Sequence, residues 1–386
     1  MPYHGPGRPE GSRAVTGVAL ACSGLGHIRR GNETWARTVA EALHADGESV
    51  RLYGGGPLPD ARCPYTRVWN LRRDWWGWPG RLAWGRRYSY EQQTFARALA
   101  CRLGRDQPEI AHTADPVLAY RLSRAAPRGG FRLVYKDGLR LGPNWCRRFD
   151  WVQVLAPYYL DEAVKAGVRT DRWFVIPHVV DVIRFAPSTD RTAARNAVLG
   201  PEVSDDAFVV LAAGDFAPES NKRLDWVVSE VASLGPHSGA HLVLAGQASP
   251  DDVRRVAELC RPLGNRAHLF PNTPPDRMAD LYRAADAFAH AALREPFGIV
   301  FIEALSSGLP AVGHNFPVTA WIIGPGGAMA DMTAPGELAR VLDRWQREPN
   351  LRRDLGAAAR GHACTEFAAD RIVPLYRQLY ATVRTV

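Results

Sequence analysis

Short apolar runs alternate with segments whose apolar positions recur every three or four residues, and this rhythm holds along most of the chain. The run "AVTGVALAC" (14–22) reads as a strand, and a glycine-rich turn leads from it into "NETWARTVAEALHADG". In that segment Trp35, Val39, Ala42 and Leu43 fall on one helical face, Asn32 suits the N-cap and Gly47 the stop. The runs "SVRLYGG", "EIAHTAD", "FRLVYKDG", "WVQVLAP" and "WFVIPHV" follow as strands, each closed by turn or polar residues. Residues 181–206 break the rhythm with Pro, Asp and Ser, and read as an interdomain connector.

The alternation then resumes. "FVVLAAGDF", "HLVLAGQ", "AHLFPN", "AFAHAA" and "PAVGHN" read as strands, with "RLDWVVSEVASLG", "DDVRRVAELCRPLG" and "DRMADLYRAA" as helices among them. Apolar strands separated by amphipathic helices require parallel sheets covered on both faces. The expected fold class is α/β: two Rossmann-like parallel-sheet domains, 1–185 and 186–370, facing each other across a cleft. A C-terminal helix, 371–386, is expected to pack back toward the first domain. Ligands of such sheets bind outside the carboxyl ends of the strands.

Bulk composition narrows the picture. With 386 residues, 46% hydrophobic and 23% charged, the chain has ample material for two cores. The net charge of +8 is carried by Arg, since Lys136, Lys165 and Lys222 are the lysines. Six scattered cysteines without a C-x-x-C pair predict free thiols in a reducing compartment. The first 14 residues lack the apolar core of a signal peptide, and no apolar run is long enough to span a bilayer. The expected location is cytoplasmic, with peripheral contact at the inner face of the membrane as a variant.

The stretch "REPFGIVFIEALSSGLP" (294–310) concentrates the chemistry. Pro296 suits the first position of a helix and Gly308 with Pro310 its end, which predicts a helix over about 296–307. Glu295 then stands just ahead of the helix and Glu303 about two turns in, roughly 10 Å along the axis. The amides of Phe297, Gly298 and Ile299 would form an anion site by geometry and dipole. A nucleotide diphosphate sugar matches this layout, with the sugar at Glu295, the diphosphate at the amides and the ribose diol at Glu303.

At these residues the sequence resembles the retaining glycosyltransferases of family 4, which have the two-domain GT-B fold. "EPFG" and "EALSSGLPAV" are close to that family's E-x(7)-E motif, and "NKRLDWVVSEVASL" resembles the segment whose lysine binds donor phosphate. That role maps onto Lys222, with Arg223 beside it. "FVIPHVVDVIRFAP" resembles the family's interdomain stretch. The resemblance implies a retaining hexosyltransferase that uses a UDP- or GDP-linked donor and needs no metal. The absence of any D-x-D tripeptide agrees with that. Gly214, Gly246, Pro296, Phe297, Gly298, Ile299 and Val300 complete the expected donor site. Asp215 departs from the pattern, standing where the family usually has Arg, as do His178 and Val179 where Asn-Gly is usual.

In the first half, "CSGLGHIRRGNE" fails as a dinucleotide fingerprint, because Arg29 stands where the last glycine belongs. The resemblance makes this turn face the donor, with Gly24, Gly26 or Gly31 as the close-approach glycine and His27 touching donor or acceptor. Lys136 stands at the position of a family histidine, with a sugar or phosphate contact expected. Asp137 would take the acceptor proton, and His112 ends a strand in the same way. Residues 61–105 carry ten Arg and five Trp against Asp74 and Glu91. Trp75, Trp76, Trp78, Arg72 and Arg73 are therefore expected to line an acceptor site or lid for a small molecule. An anionic membrane reaching a lipid acceptor is the second reading. Nucleic acid is not expected, and the oligomeric state stays open. The rival functions are a non-catalytic nucleotide-sugar-binding module and a GT-B sugar-nucleotide epimerase.

Overall fold

The computed structural model describes residues 17–28, 30–80 and 82–385; the leader segment read above and Arg29 lie outside the described residues. Seven strands form one parallel sheet: β1 (Val18–Cys22), β2 (Val50–Gly54), β3 (Tyr65–Arg67), β4 (Ile110–Thr113), β5 (Arg132–Lys136), β6 (Trp151–Val154) and β7 (Trp173–Val175). Their order is β3-β2-β1-β4-β5-β6-β7. The second sheet comprises β8 (Val209–Ala213), β9 (His241–Gly246), β10 (Ala267–Pro271), β11 (Ala287–His290), β12 (Ala311–His314) and β13 (Gly327–Ala330), ordered β10-β9-β8-β11-β12-β13. The pairings in both run parallel, as the unbroken apolar strands require. In each sheet the first strand lies centrally and the order reverses beside it, at β1/β4 and at β8/β11. That reversal opens a crevice at the carboxyl ends of the strands.

Two compact units emerge. One takes in the chain up to Gly138, residues 144–153 and the chain from Arg377 on; the other takes in 139–143 and 154–376. The final helix, Ala369–Thr385, supplies Tyr380, Val383 and Arg384 to the first unit. There Arg132 donates to the carbonyls of Val383 and Arg384, and Arg384 pairs with Glu48 and Glu109.

Several elements differ from the sequence expectations. The first helix runs Gly31–Ala45, so Asn32 is its second residue rather than its cap, and Asn32 Oδ1 instead accepts from Lys136 Nζ at 3.2 Å. Residues 181–206 are more than a connector, because they contain the helix Arg191–Leu199, capped by Asp190. Arg195 anchors that helix, donating to Asp286 at 2.7 Å while 1% exposed. The Trp- and Arg-rich stretch contributes a long helix, Trp84–Asp106.

Candidate functional site

The second unit carries the most concentrated chemistry, at the carboxyl ends of β8 and β11. Lys222 follows β8 and Glu295 follows β11, and the Lys222 ammonium donates to Glu295 Oε2. His290, the last residue of β11, places Nε2 3.2 Å from the same oxygen. Burial alone would raise the Glu295 carboxyl; the Lys222 charge and the His290 hydrogen bond overcome it and hold the group down to about 2. Glu295 is therefore a carboxylate at any physiological pH. Lys222 keeps a quarter of its side chain exposed, so one face of this pair meets solvent.

The glycines here are dictated by close approach. A Cβ on Gly214 would fall 2.6 Å from Lys222 Cβ, and one on Gly246 would fall 1.6 Å from the Gly214 carbonyl oxygen. Both strand ends must therefore stay bare for Lys222 to reach Glu295.

The helix that carries Glu303 begins later than its proline suggests. It spans Ile299–Ser306, with Gly298 as N-cap at φ +87°. Pro296 and Phe297 lie outside it, because the Pro296 carbonyl accepts from Tyr159 OH at 2.7 Å and Phe297 is buried against His178, Trp321 and Phe367. The first-turn amides of Ile299 and Val300 thus take the place expected of Phe297, Gly298 and Ile299. Glu303 is about one turn in, roughly 6 Å along the axis rather than 10 Å. Gly308 ends the helix as expected, with Leu309 N bonded to Ala304 O and Gly308 N to Leu305 O, a Schellman stop.

Glu303 accepts from Tyr282 OH at 2.9 Å. Burial pushes its carboxyl up to about 7 although part of the residue's surface stays open, with the Tyr282 hydrogen bond and the Arg184 charge opposing that rise. The two glutamates are thus set apart, one firmly ionised and one poised. Arg223, beside Lys222, donates from its guanidinium to the Met332 carbonyl at 2.7 Å and lies over Trp226. Asp215 caps its own turn, accepting from Ala217 N.

In the first unit, the predicted residues separate into a buried network and an exposed rim. Arg73 is 3% exposed and not a surface group for an acceptor: its Nε donates to Glu91 Oε2 at 2.6 Å and it reaches Glu33 at 3.3 Å. His27 joins the network through Glu91 Oε1 at 3.0 Å. Gly24 and Gly26 are both required, Gly24 because a Cβ would strike Glu33 and Arg73, Gly26 because it turns at φ +89° against Gly56. Beside the network, Asp115 accepts from Ser23 N and from Tyr88 OH.

His112 is fully buried between Trp35 and Tyr380, and burial lowers its pKa to about 3. Lys136 is equally buried, 4.6 Å over the Trp35 ring, and burial brings its pKa down to about 7. Asp137 is buried next to it. On the rim, Trp76 is 91% exposed, Trp78 stacks on Tyr90, and Arg72 pairs with Asp74.

His290, Tyr282 and Arg184 escaped the sequence reading. His290 carried one usable signal, as a polar residue closing an apolar strand at its carboxyl end. Among the described residues, no group of three or more His, Cys, Asp or Glu is arranged to hold a metal, and no helix is long and apolar enough to cross a membrane.

Comparison with known proteins adds a family match over part of the chain. Residues 200–362 match the family described as Glycosyl transferases group 1. The chain is 26% identical over 412 residues to D-inositol 3-phosphate glycosyltransferase of Streptomyces griseus, covering 94% of this chain and 83% of that protein. It is 33% identical to the protein of the same name from Segniliparus rotundus, over 53% of this chain and 46% of that one. Among solved structures, sucrose-phosphate synthase from Thermosynechococcus elongatus superposes with TM-score 0.77 at 20% identity, covering 95% of this chain and 100% of that chain. Anabaena HepE in complex with UDP-glucose superposes with TM-score 0.74 at 18% identity, covering 96% and 99%. The fold is GT-B.

Proposed function

We propose, from the match of residues 200–362 to the group 1 glycosyl transferases, that the chain transfers a hexose-type sugar from a nucleoside diphosphate donor with retention of configuration. The observation that carries this reading is the cluster of Lys222, Glu295 and His290 beside the amino end of helix Ile299–Ser306. An ionised carboxylate there accepts hydrogen bonds from sugar hydroxyls. The Lys222 ammonium, already poised at the carboxylate, and the Ile299 and Val300 amides attract the diphosphate. Glu303 takes the ribose diol. The bond between the anomeric carbon and the phosphate oxygen breaks as the acceptor oxygen bonds to the same face, and the acceptor proton passes to the departing phosphate. Lys222 and the helix amides stabilise the charge that collects on that phosphate, with no metal required.

A solved neighbour in complex with UDP-glucose makes UDP-linked sugars the first donors to try. The name of the Streptomyces griseus relative makes a cyclitol phosphate the first acceptor. Calorimetry with UDP, GDP and ADP, followed by product analysis with the matching sugar donors, tests the reading. Micromolar binding of one diphosphate, weakened at least tenfold in Lys222→Met, is expected. Failure of all three to bind the wild type would sink it.

A further inference from the structure

β11 and the two residues after it form a run of buried small or aromatic residues, Ala287, Phe288, Ala289, Ala291 and Ala292, into which one imidazole is inserted. His290 is itself 1% exposed, lies parallel to Phe288 and meets Phe301 edge-on at 5.1 Å. Burying a polar ring in such a strand is costly unless its hydrogen bond is used. The bond it makes is to Glu295 Oε2, at 3.2 Å. A carboxylate can only accept, so the ring carries its proton on Nε2. Lys222 donates to that same oxygen from the other element, β8's continuation. The charged and polar groups facing the ring are therefore Glu295, Lys222 and the Ala213 carbonyl.

We infer that His290 is a positioning residue for the donor carboxylate: with Lys222 it pins Oε2 of Glu295, so that Oε1 is the oxygen offered to the donor sugar. Glu295 sits on a non-helical turn between β11 and Gly298, where no helical backbone orients its side chain. Two donors on one oxygen fix the carboxylate plane, and Phe301 and Phe288 fix the imidazole in turn. Lys222 alone does not suffice, because a departing diphosphate competes for its ammonium during the reaction. The neutral N–H of His290, in a ring only 1% exposed, is out of the diphosphate's reach. The inference rests on the donor reading above.

The experiment compares wild type, His290→Leu and His290→Gln, whose amide nitrogen can replace the Nε2–H. Turnover is followed as release of nucleoside diphosphate from the sugar donor identified by the calorimetric panel, and folding by thermal melts. His290→Leu is expected to lose on the order of 10- to 100-fold in kcat, as loss of a residue that orients a reacting ligand typically does. Its affinity for the nucleoside diphosphate alone should change less than about threefold, since the diphosphate does not need Oε1. His290→Gln should recover most of the lost kcat. In the unliganded wild type, nitrogen-15 shifts of the ring should report the proton on Nε2. A proton on Nδ1, or unchanged kcat in a folded His290→Leu, would overturn the role, as would a His290→Gln no better than His290→Leu. If the wild type binds no nucleoside diphosphate, the donor reading fails and takes this role with it. Intact diphosphate binding with unaltered turnover removes this role alone.

Discussion

Glu295 and Glu303 are chemically identical and eight positions apart, and the structure gives them opposite acidities. Glu295 loses its proton readily because Lys222 and His290 overcome its burial, whereas burial outweighs the Tyr282 hydrogen bond and the Arg184 charge at Glu303, which keeps its proton up to about 7. A ribose diol donates two hydrogen bonds and needs the ionised form, so nucleoside diphosphate affinity should rise as pH goes from 6 to 8. Glu303→Gln should flatten that part of the profile and weaken binding at pH 8 by about 2 kcal/mol. Calorimetry on both proteins isolates the effect from titration of the phosphate itself. Stability moves the other way. Because the folded pKa lies above the ordinary 4.5, protonation favours the fold, and the contribution falls as pH rises toward 7.

At the scale of the element, the helix Ile299–Ser306 depends on one residue that the proline signal obscured. Gly298 holds φ +87°, and a Cβ there would come within 2.7 Å of Phe301 and 2.9 Å of Glu295. Gly298→Ala should lower stability by about 1–2 kcal/mol from the left-handed backbone alone. The same change should weaken nucleoside diphosphate binding, because it displaces both Glu295 and the first free amides. Melts and calorimetry on the one variant read both effects; an unchanged affinity would detach Gly298 from the donor site. The helix stop, by contrast, was legible in full. Gly308 followed by Leu309 is a local signal, and the Schellman bonds form there. The start was not, since what excludes Pro296 and Phe297 from the helix is tertiary: Tyr159 on one and three aromatic neighbours on the other.

At the scale of the whole molecule, the last ten residues belong to a unit begun more than three hundred residues earlier. Deleting residues 377–386 removes Tyr380 from His112 and the helix carbonyls from Arg132. A scanning-calorimetry transition for the first unit should fall by several degrees, while Arg384→Ala alone should shift it little, because partly exposed ion pairs are each worth under about 1 kcal/mol. Equal losses in the two proteins would assign the tail's contribution to its ion pairs instead of its buried face. The sequence by itself determined the two sets of parallel strands and the glycine stop of the helix that carries Glu303, because hydrophobic period and local turn residues encode these directly. Only the tertiary structure decided that His290 joins Glu295, that Arg73 is consumed by Glu33 and Glu91, and that His112 is a core residue. Those outcomes depend on which side chains meet across distant strands and on how much water reaches them, and neither is written in any local stretch of the chain.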